Sequence, residues 1–480
     1  MNAPENPVPV RAAKAGGDEI ALYEIRRKIY PRAVTGVFAQ WRWALVILTQ
    51  LVYYGLPWLT WDGRQAVLFD LGARKFYILG LVFWPQDVIY LTVILVLSAY
   101  SLFLFTSVAG RLWCGYACPQ TVYTEMFLWV ERKIEGDRMA RMKLDAAPAS
   151  AAKFGKKAAK HGIWVAIGLW TGITFVGYFT PIRELLRAMP FGLSGWETFW
   201  VLFYGFVTYG NAGWMREQVC KYMCPYARFQ SVMFDKDTMV ITYDAARGEP
   251  RGARGKKVDI KAAGLGHCVD CGICVQVCPT GIDIRKGLQY ECIGCAACID
   301  GCDQVMDKMG YPRGLVRYTT ENALAAGYTP RQMWRRVFRL RTLLYTSLLV
   351  VITVAAGVSL YLRNPLKVNV MRDRSTLARE AEPGQVENIY RLQVMNTDGT
   401  PRQYRVSARG LEGLRIIGVD GPLSLGPESS QMVPLSVQAP LDDDAGDKER
   451  KRSHRIEIVV EAVGDPKVVR REETSFLFPR

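Results

Sequence analysis

Five apolar runs dominate this 480-residue chain, at Trp43–Trp61, Val88–Ala109, Gly162–Pro181, Trp196–Met215 and Thr342–Leu362. Each is long enough to cross a bilayer as a helix of about 20 residues. Aromatics flank them as membrane interfaces favour: Trp41, Trp43, Trp58 and Trp61 about the first, Trp196, Trp200 and Trp214 about the fourth. Buried helices of a soluble protein are the competing reading, but a soluble core rarely holds five helices apolar on every face. The segment 1–42 is polar and basic, without the short apolar core of a signal peptide.

Lys and Arg set the expected orientation. Seven precede the first run and ten lie in the loop 110–161, against three in the loop after the first run and two in 182–195. By the positive-inside rule the N-terminus, the 110–161 loop and the segment 216–341 are cytoplasmic, and an odd number of spans puts 363–480 on the periplasmic side of a bacterial inner membrane. The net charge of +16 is then mostly topology, and nucleic-acid binding is not needed to explain it.

All 12 cysteines lie between Cys114 and Cys302. This is the use of metal ligands or redox thiols rather than disulfide staples. Cys268, Cys271, Cys274 and Cys278-Pro279 form the bacterial iron–sulfur run C-x2-C-x2-C-x3-C-P. After thirteen residues it is repeated by Cys292, Cys295, Cys298 and Cys302, with Asp303 where the first run has proline. In two-cluster ferredoxins the fourth cysteine of each run serves the other cluster. One 4Fe–4S cluster is therefore assigned to Cys268, Cys271, Cys274 and Cys302, and the other to Cys292, Cys295, Cys298 and Cys278. Zinc would call for four ligands in two pairs, not two repeated quartets. The module occupies about residues 260–310.

The remaining four cysteines form two C-x3-C-P motifs, Cys114/Cys118-Pro119 after the second run and Cys220/Cys224-Pro225 after the fourth. Cysteines at i and i+4 share a helix face, which suits two ligands of one metal, and the proline ends or bends the helix. Joined, the motifs make a four-thiolate site suited to copper(I) or to an iron–sulfur cluster. Two unrelated pairs of structural thiols are the bland alternative. His161, His267 and His454 read as structural, and Met223 as a packing residue. Asn211 and Gln50 are polar within spans, and Asp87 and Glu197 stand at span ends facing outside.

From Asn364 the pattern alternates. Lys367–Met371, Ile389–Met395, Gln403–Ser407, Arg415–Val419, Gln431–Val437, Arg455–Glu461 and Glu473–Phe478 read as strands of an immunoglobulin-like sandwich without cysteine, suited to docking. The expected architecture is a polytopic α-helical membrane protein with an inserted two-cluster ferredoxin segment and a C-terminal β-sandwich.

The ferredoxin runs, the two C-x3-C-P motifs and the strings WCGYACPQTVYTEMF, CKYMCPYARFQSVMFDKDT and FDLGARKFYILGLVFWPQD together resemble the cytochrome c oxidase accessory family called CcoG, FixG or RdxA. The resemblance covers essentially the whole chain. It implies two 4Fe–4S clusters on the eight ferredoxin cysteines, and a cupric reductase that supplies copper(I) for assembly of cbb3-type cytochrome c oxidase. It also implies that Cys114, Cys118, Cys220 and Cys224 form the copper site. The partners implied are oxidase subunits or assembly factors and a copper transporter or chaperone; the electron donor is not named by the sequence. Two other readings stay open: a quinol-linked membrane ferredoxin subunit, and a non-redox assembly scaffold.

Overall fold

The computed structural model describes residues 28–260, 262–373, 378–382, 384–440 and 453–479. Of the expected N-terminal segment 1–42, residues 1–27 lie outside the described residues. The chain divides into two compact units. The first comprises Met1–Leu51, Leu102–Gly172 and Trp200–Thr342, and the second Val52–Ser101, Ile173–Phe199 and Leu343–Arg480. The chain passes between them five times, each time inside one of five long helices, Val37–Gly55, Val88–Ala109, Ala151–Val176, Gly195–Thr208 and Leu340–Tyr361.

Among the described residues two helices are long and apolar enough to cross a membrane, Pro85–Ala109 and Leu340–Tyr361, with mean hydropathies of 2.4 and 2.2. The other three depart from the expected runs for legible reasons. The first begins at Val37 and its α-helix stops at Gly55, where Pro57 follows; Leu56–Trp58 is a 3-10 turn and Thr60–Trp61 a short strand; the helix carries Gln40, Arg42 and Gln50. The third starts at Ala151, well before Gly162, and its first half holds Lys153, Lys156, Lys157 and Lys160. The fourth is α-helical for 14 residues, then continues as a π-helical stretch, Tyr209–Met215. All three keep large apolar side chains exposed, among them Leu48, Leu51, Ile163, Val165, Phe199, Leu202 and Phe206.

In the second unit, strands Val67–Asp70, Lys75–Ile78 and Leu81–Phe83 form a small antiparallel sheet. Asp87 is buried, accepts from the Trp84 amide at 3.0 Å, and pairs with Arg363 at 2.7 Å and with Lys367. It is thus held in a salt bridge at the start of the helix Val88–Ala109.

The C-terminal region has nine described strands: β1 (Leu366–Arg372), β2 (Arg379–Glu382), β3 (Gln385–Asn396), β4 (Arg402–Arg409), β5 (Arg415–Ile417), β6 (Leu423–Leu425), β7 (Ser430–Pro440), β8 (Ser453–Ala462) and β9 (Asp465–Leu477). One sheet runs β5-β7-β3-β1, with β2 on β3, and the other β6-β4-β8-β9. The seven expected strands are present, most of them longer than their apolar alternation marks. The short strands β2 and β6 lack that alternation and were not anticipated. Between the sheets Tyr390, Leu392, Val394, Tyr404, Val437, Ile456, Ile458, Val460 and Phe476 are almost wholly buried. Full burial of each such side chain contributes about 1.5–3 kcal/mol. Buried Asn388 exchanges two hydrogen bonds with the Leu477 backbone, which satisfies its amide.

Candidate iron–sulfur and thiol site

In the first unit the two cysteine runs fold as near copies of each other. The residues on either side of the middle cysteine are left-handed in both: Asp270 (φ 49) and Gly272 (φ 65) about Cys271, Gly294 (φ 70) and Ala296 (φ 58) about Cys295. Successive reversals of this kind turn backbone amides inward and make an anion-binding concavity. Each loop then enters a helix, Ile273–Gln276 or Ala297–Met309. Gly294 is held from outside by Tyr318, whose hydroxyl donates to its carbonyl at 2.6 Å. Ala296 takes its conformation without being glycine, so inspection of glycines alone misses it.

The thiols gather around two cavities. One is lined by Cys268, Cys271, Cys274 and Cys302, with Tyr243, Gly272 and Arg285. The other is lined by Cys278, Cys292, Cys295 and Cys298, and Cys274 reaches its wall as well. These are the two quartets expected from the crossed spacing. Burial pushes Cys292 and Cys302 up to about 12, and nearby thiols add to it, while a backbone hydrogen bond at Gly294 opposes it at Cys292. Burial also pushes Cys274 up to about 11. Thiols crowded this way become thiolates only when a cationic centre takes them as ligands. Among the described residues no three His, Cys, Asp or Glu side chains converge on a single point as one metal ion requires. Quartets spread around a cavity, with inward amides, fit a multi-iron cluster better than one zinc ion.

The C-x3-C-P motifs depart from the expected geometry. Cys114 lies in the helix Leu112–Tyr116, but Cys118 is extended (φ −62, ψ 129) and caps the next helix, Pro119–Glu135. Cys220 lies in the π-helical turn Val219–Met223, and Cys224 is again extended (φ −83, ψ 109) ahead of Pro225–Met233. The two cysteines of a motif therefore do not share one helix face. The cause is the proline, which disfavours the helical conformation in the residue before it and is itself well placed in the first turn of a helix.

The two motifs nevertheless approach each other, although among the described residues no three of their thiols converge on one point. Gln120, two residues after Cys118, donates to the Asn211 and Arg216 carbonyls at 2.9 and 3.0 Å, on the segment leading to Cys220. Glu131, 2% exposed, pairs with Arg216 at 3.2 Å, Arg141 at 2.9 Å and Lys160 at 3.5 Å. Burial raises the Glu131 pKa, but the three cations outweigh it and hold the carboxyl below its ordinary range. Cys114 donates to buried Gln230 at 3.3 Å. Burial and neighbouring thiols push Cys114 and Cys220 up to about 12, each feeling thiols of both motifs.

Cys114 and Cys220 also pack on the cluster of Val277, Ile293, Cys295 and Ala297, of which the last three line the second cavity. Gly115 lies flat on that loop. A Cβ there would stand 2.8 Å from the Gly294 carbonyl and 2.9 Å from the Cys295 Cα. Arg111, unremarked in the sequence, is 5% exposed and donates to the Cys292 carbonyl at 3.4 Å. Of the histidines, His161 bonds Tyr209 at 3.0 Å and lies in an aromatic cluster with Trp164 and Trp214. His267 packs on Tyr311 and His454 on Phe478.

Comparison with known proteins finds iron–sulfur families on these segments. Residues 215–321 match the 4Fe-4S dicluster domain family, and residues 91–136 match a 4Fe-4S binding domain family. Residues 356–479 match the immunoglobulin-like fold found at the C-terminus of FixG. The chain is 40% identical to the nitrogen fixation protein FixG of Rhizobium meliloti over 468 residues, covering 89% of this chain and 88% of that one. It is also 40% identical to protein RdxA of Cereibacter sphaeroides, over 88% of this chain and 92% of that one. A more distant likeness, 25% over 40% of this chain and 56% of the other, joins it to the ferredoxin-type protein NapH of Haemophilus influenzae. An iron–sulfur redox protein with an immunoglobulin-like C-terminal domain, this chain belongs to the FixG/RdxA family.

Proposed function

We propose that the chain is a membrane-bound oxidoreductase that reduces copper(II) to copper(I) for assembly of a cbb3-type cytochrome c oxidase. Cys268, Cys271, Cys274 and Cys302 hold one 4Fe–4S cluster, and Cys278, Cys292, Cys295 and Cys298 the other. Such clusters, when bound, supply electrons one at a time, and copper(II) accepts one. The observation that carries the reading is the close packing of Gly115, inside the first C-x3-C-P motif, on the Gly294–Cys295 backbone. It supports electron transfer between the second cysteine run and a soft thiol set beside it. Cys114, Cys118, Cys220 and Cys224 favour the reduced product, because thiolates prefer copper(I). Gln230 and the Gln120 bridge orient the thiols.

The setting proposed is a bacterial inner membrane crossed five times, with the N-terminus in the cytoplasm and the sandwich in the periplasm. What supports it is the Lys/Arg distribution and the exposed apolar side chains on all five long helices. The partners proposed are oxidase subunits or assembly factors and a copper transporter or chaperone.

The test is anaerobic. The purified chain is reduced, freed of excess reductant and mixed with copper(II) while the cluster absorbance is followed with a copper(I) indicator. The reading requires the oxidised spectrum to return as copper(I) forms, one copper per electron. Reduced protein indifferent to copper(II), together with oxidised protein that takes electrons from a quinol, would replace it by the quinol-linked reading. A scaffold would keep its function when the ferredoxin cysteines are changed to alanine.

A further inference from the structure

The two cluster cavities differ in the charge that surrounds them. At the first, Arg285 is neutralised. It donates to Asp283 at 2.8 Å and to Asp270 at 2.5 Å. Its neighbour Cys271 is exposed. The loops that wall the second cavity are approached by two arginines from other parts of the first unit. Arg42, on the helix Val37–Gly55, is 7% exposed and its Nε has no hydrogen-bond partner. It lines a small pocket with Val277, Pro279 and Ala297, residues next to Cys278 and between Cys295 and Cys298, and with Glu125. Arg111 reaches the second cysteine run through the Cys292 carbonyl, and its second amino group donates to the Ala227 carbonyl. Among the described residues neither arginine has a carboxylate within ion-pair distance, whereas Glu125 is paired with Arg132 at 3.4 Å and Asp300 accepts from the Phe38 and Ala39 amides.

A buried guanidinium without a counter-ion is costly unless something negative lies beside it. Four thiolates around an iron–sulfur core carry net negative charge, and reduction adds one more. An unneutralised cation in a low-dielectric site stabilises that added electron and raises the potential. Burial of the second cavity acts the other way.

We propose that Arg42 and Arg111 are positioning residues whose charge raises the reduction potential of the second cluster, offsetting the opposing effect of its burial and favouring passage of electrons from near exposed Cys271 inward toward the C-x3-C-P thiols. The proposal rests on the two-cluster assignment and not on copper as the acceptor. Iron content tests that assignment separately.

The experiment is a redox titration of the full-length protein, followed by the paramagnetic signals of the reduced clusters. Cys271→Ser, which removes a ligand of the first cluster, identifies the signal of the second. Arg42→Gln and Arg111→Gln should each retain iron and shift the second cluster's midpoint downward, leaving the first unmoved. Arg42→Lys should restore most of the shift, because the charge is kept. Glu125→Gln removes an opposing charge and should move the same midpoint upward, which keeps the proposal testable if an arginine variant loses iron. Unmoved midpoints in the iron-retaining variants, or equal shifts of both clusters, would overturn it.

Discussion

The cluster-bearing region and the C-terminal sandwich solve the problem of a core in opposite ways. The sandwich buries a continuous apolar layer built from both sheets and has no cysteine. The ferredoxin region counts cysteines among its core residues: Cys268 and Cys274 lie with Ile241, Ile284, Ile299 and Met306, and Cys295 with Val277 and Ile293. A thiol is a modest hydrophobe. A core made around thiols is completed by what the thiols bind, because binding to ligands absent from the unfolded chain adds directly to folding. The difference teaches where each half is vulnerable: the sandwich to lost packing, the ferredoxin region to lost ligands.

The largest effect should follow a change within the second quartet. Cys298→Ala removes a thiol of the second quartet, where Cys298 is half-buried beside buried Cys295. It should cost a whole cluster, about four irons of eight, and make the first unit sensitive to proteolysis while the sandwich keeps its β-signature. Iron analysis with limited proteolysis reads both. A protein that stays equally protected without its iron would erase the contrast.

Next comes Glu131→Gln. It strips the negative partner from Arg141, Lys160 and Arg216, and breaking a buried charge network costs about 3–5 kcal/mol. Thermal unfolding of the first unit should fall accordingly, and the Arg216 segment before Cys220 should loosen. The pH dependence has a definite sign. The Glu131 carboxyl is held below its ordinary value, so its contribution is present above the unfolded-state pKa near 4.3 and is lost as pH falls through the lower folded-state value. The variant should therefore lose less stability on acidification than the parent chain.

In the sandwich, Ile458→Ala leaves a cavity between the sheets and should cost about 2–5 kcal/mol with iron content unchanged. Iron loss in this variant would show that the two cores are not separable. The mildest change in mass is Gly115→Ala, whose methyl group meets the Gly294 carbonyl and the Cys295 Cα. It should leave both clusters in place and slow copper(II) reduction, which rapid mixing with reduced protein measures.

Much of this contrast is written in the sequence. The two cysteine runs specify two quartets because their spacing is chemical, and the cavities hold those quartets. Strand positions were legible where β3, β7 and β8 alternate, and β2 and β6 were hidden because each is short and has no apolar run of its own beside it, whereas three-residue β5 was marked by Ile416, Ile417 and Val419. The helix limits were less legible. Pro57 and the lysines before Gly162 shift the ends of two helices in ways that hydropathy averages conceal. The C-x3-C-P spacing suggested one helix face, whereas Pro119 and Pro225 move Cys118 and Cys224 off the helix altogether. Arg42 and Arg111 could not be singled out, because only the packing of distant segments brings them to the second cavity. Arg111 left one trace, a lone cation three residues before Cys114.

The central claim is that eight cysteines hold two clusters and the other four serve copper. Metal analysis of the anaerobically purified chain and of its Cys114→Ala/Cys118→Ala/Cys220→Ala/Cys224→Ala variant tests it most directly. The account predicts about eight irons and eight acid-labile sulfides in both proteins, with bound copper lost from the variant. About twelve irons in the parent chain falling to about eight in the variant would contradict it, and would make the C-x3-C-P thiols ligands of a third cluster instead.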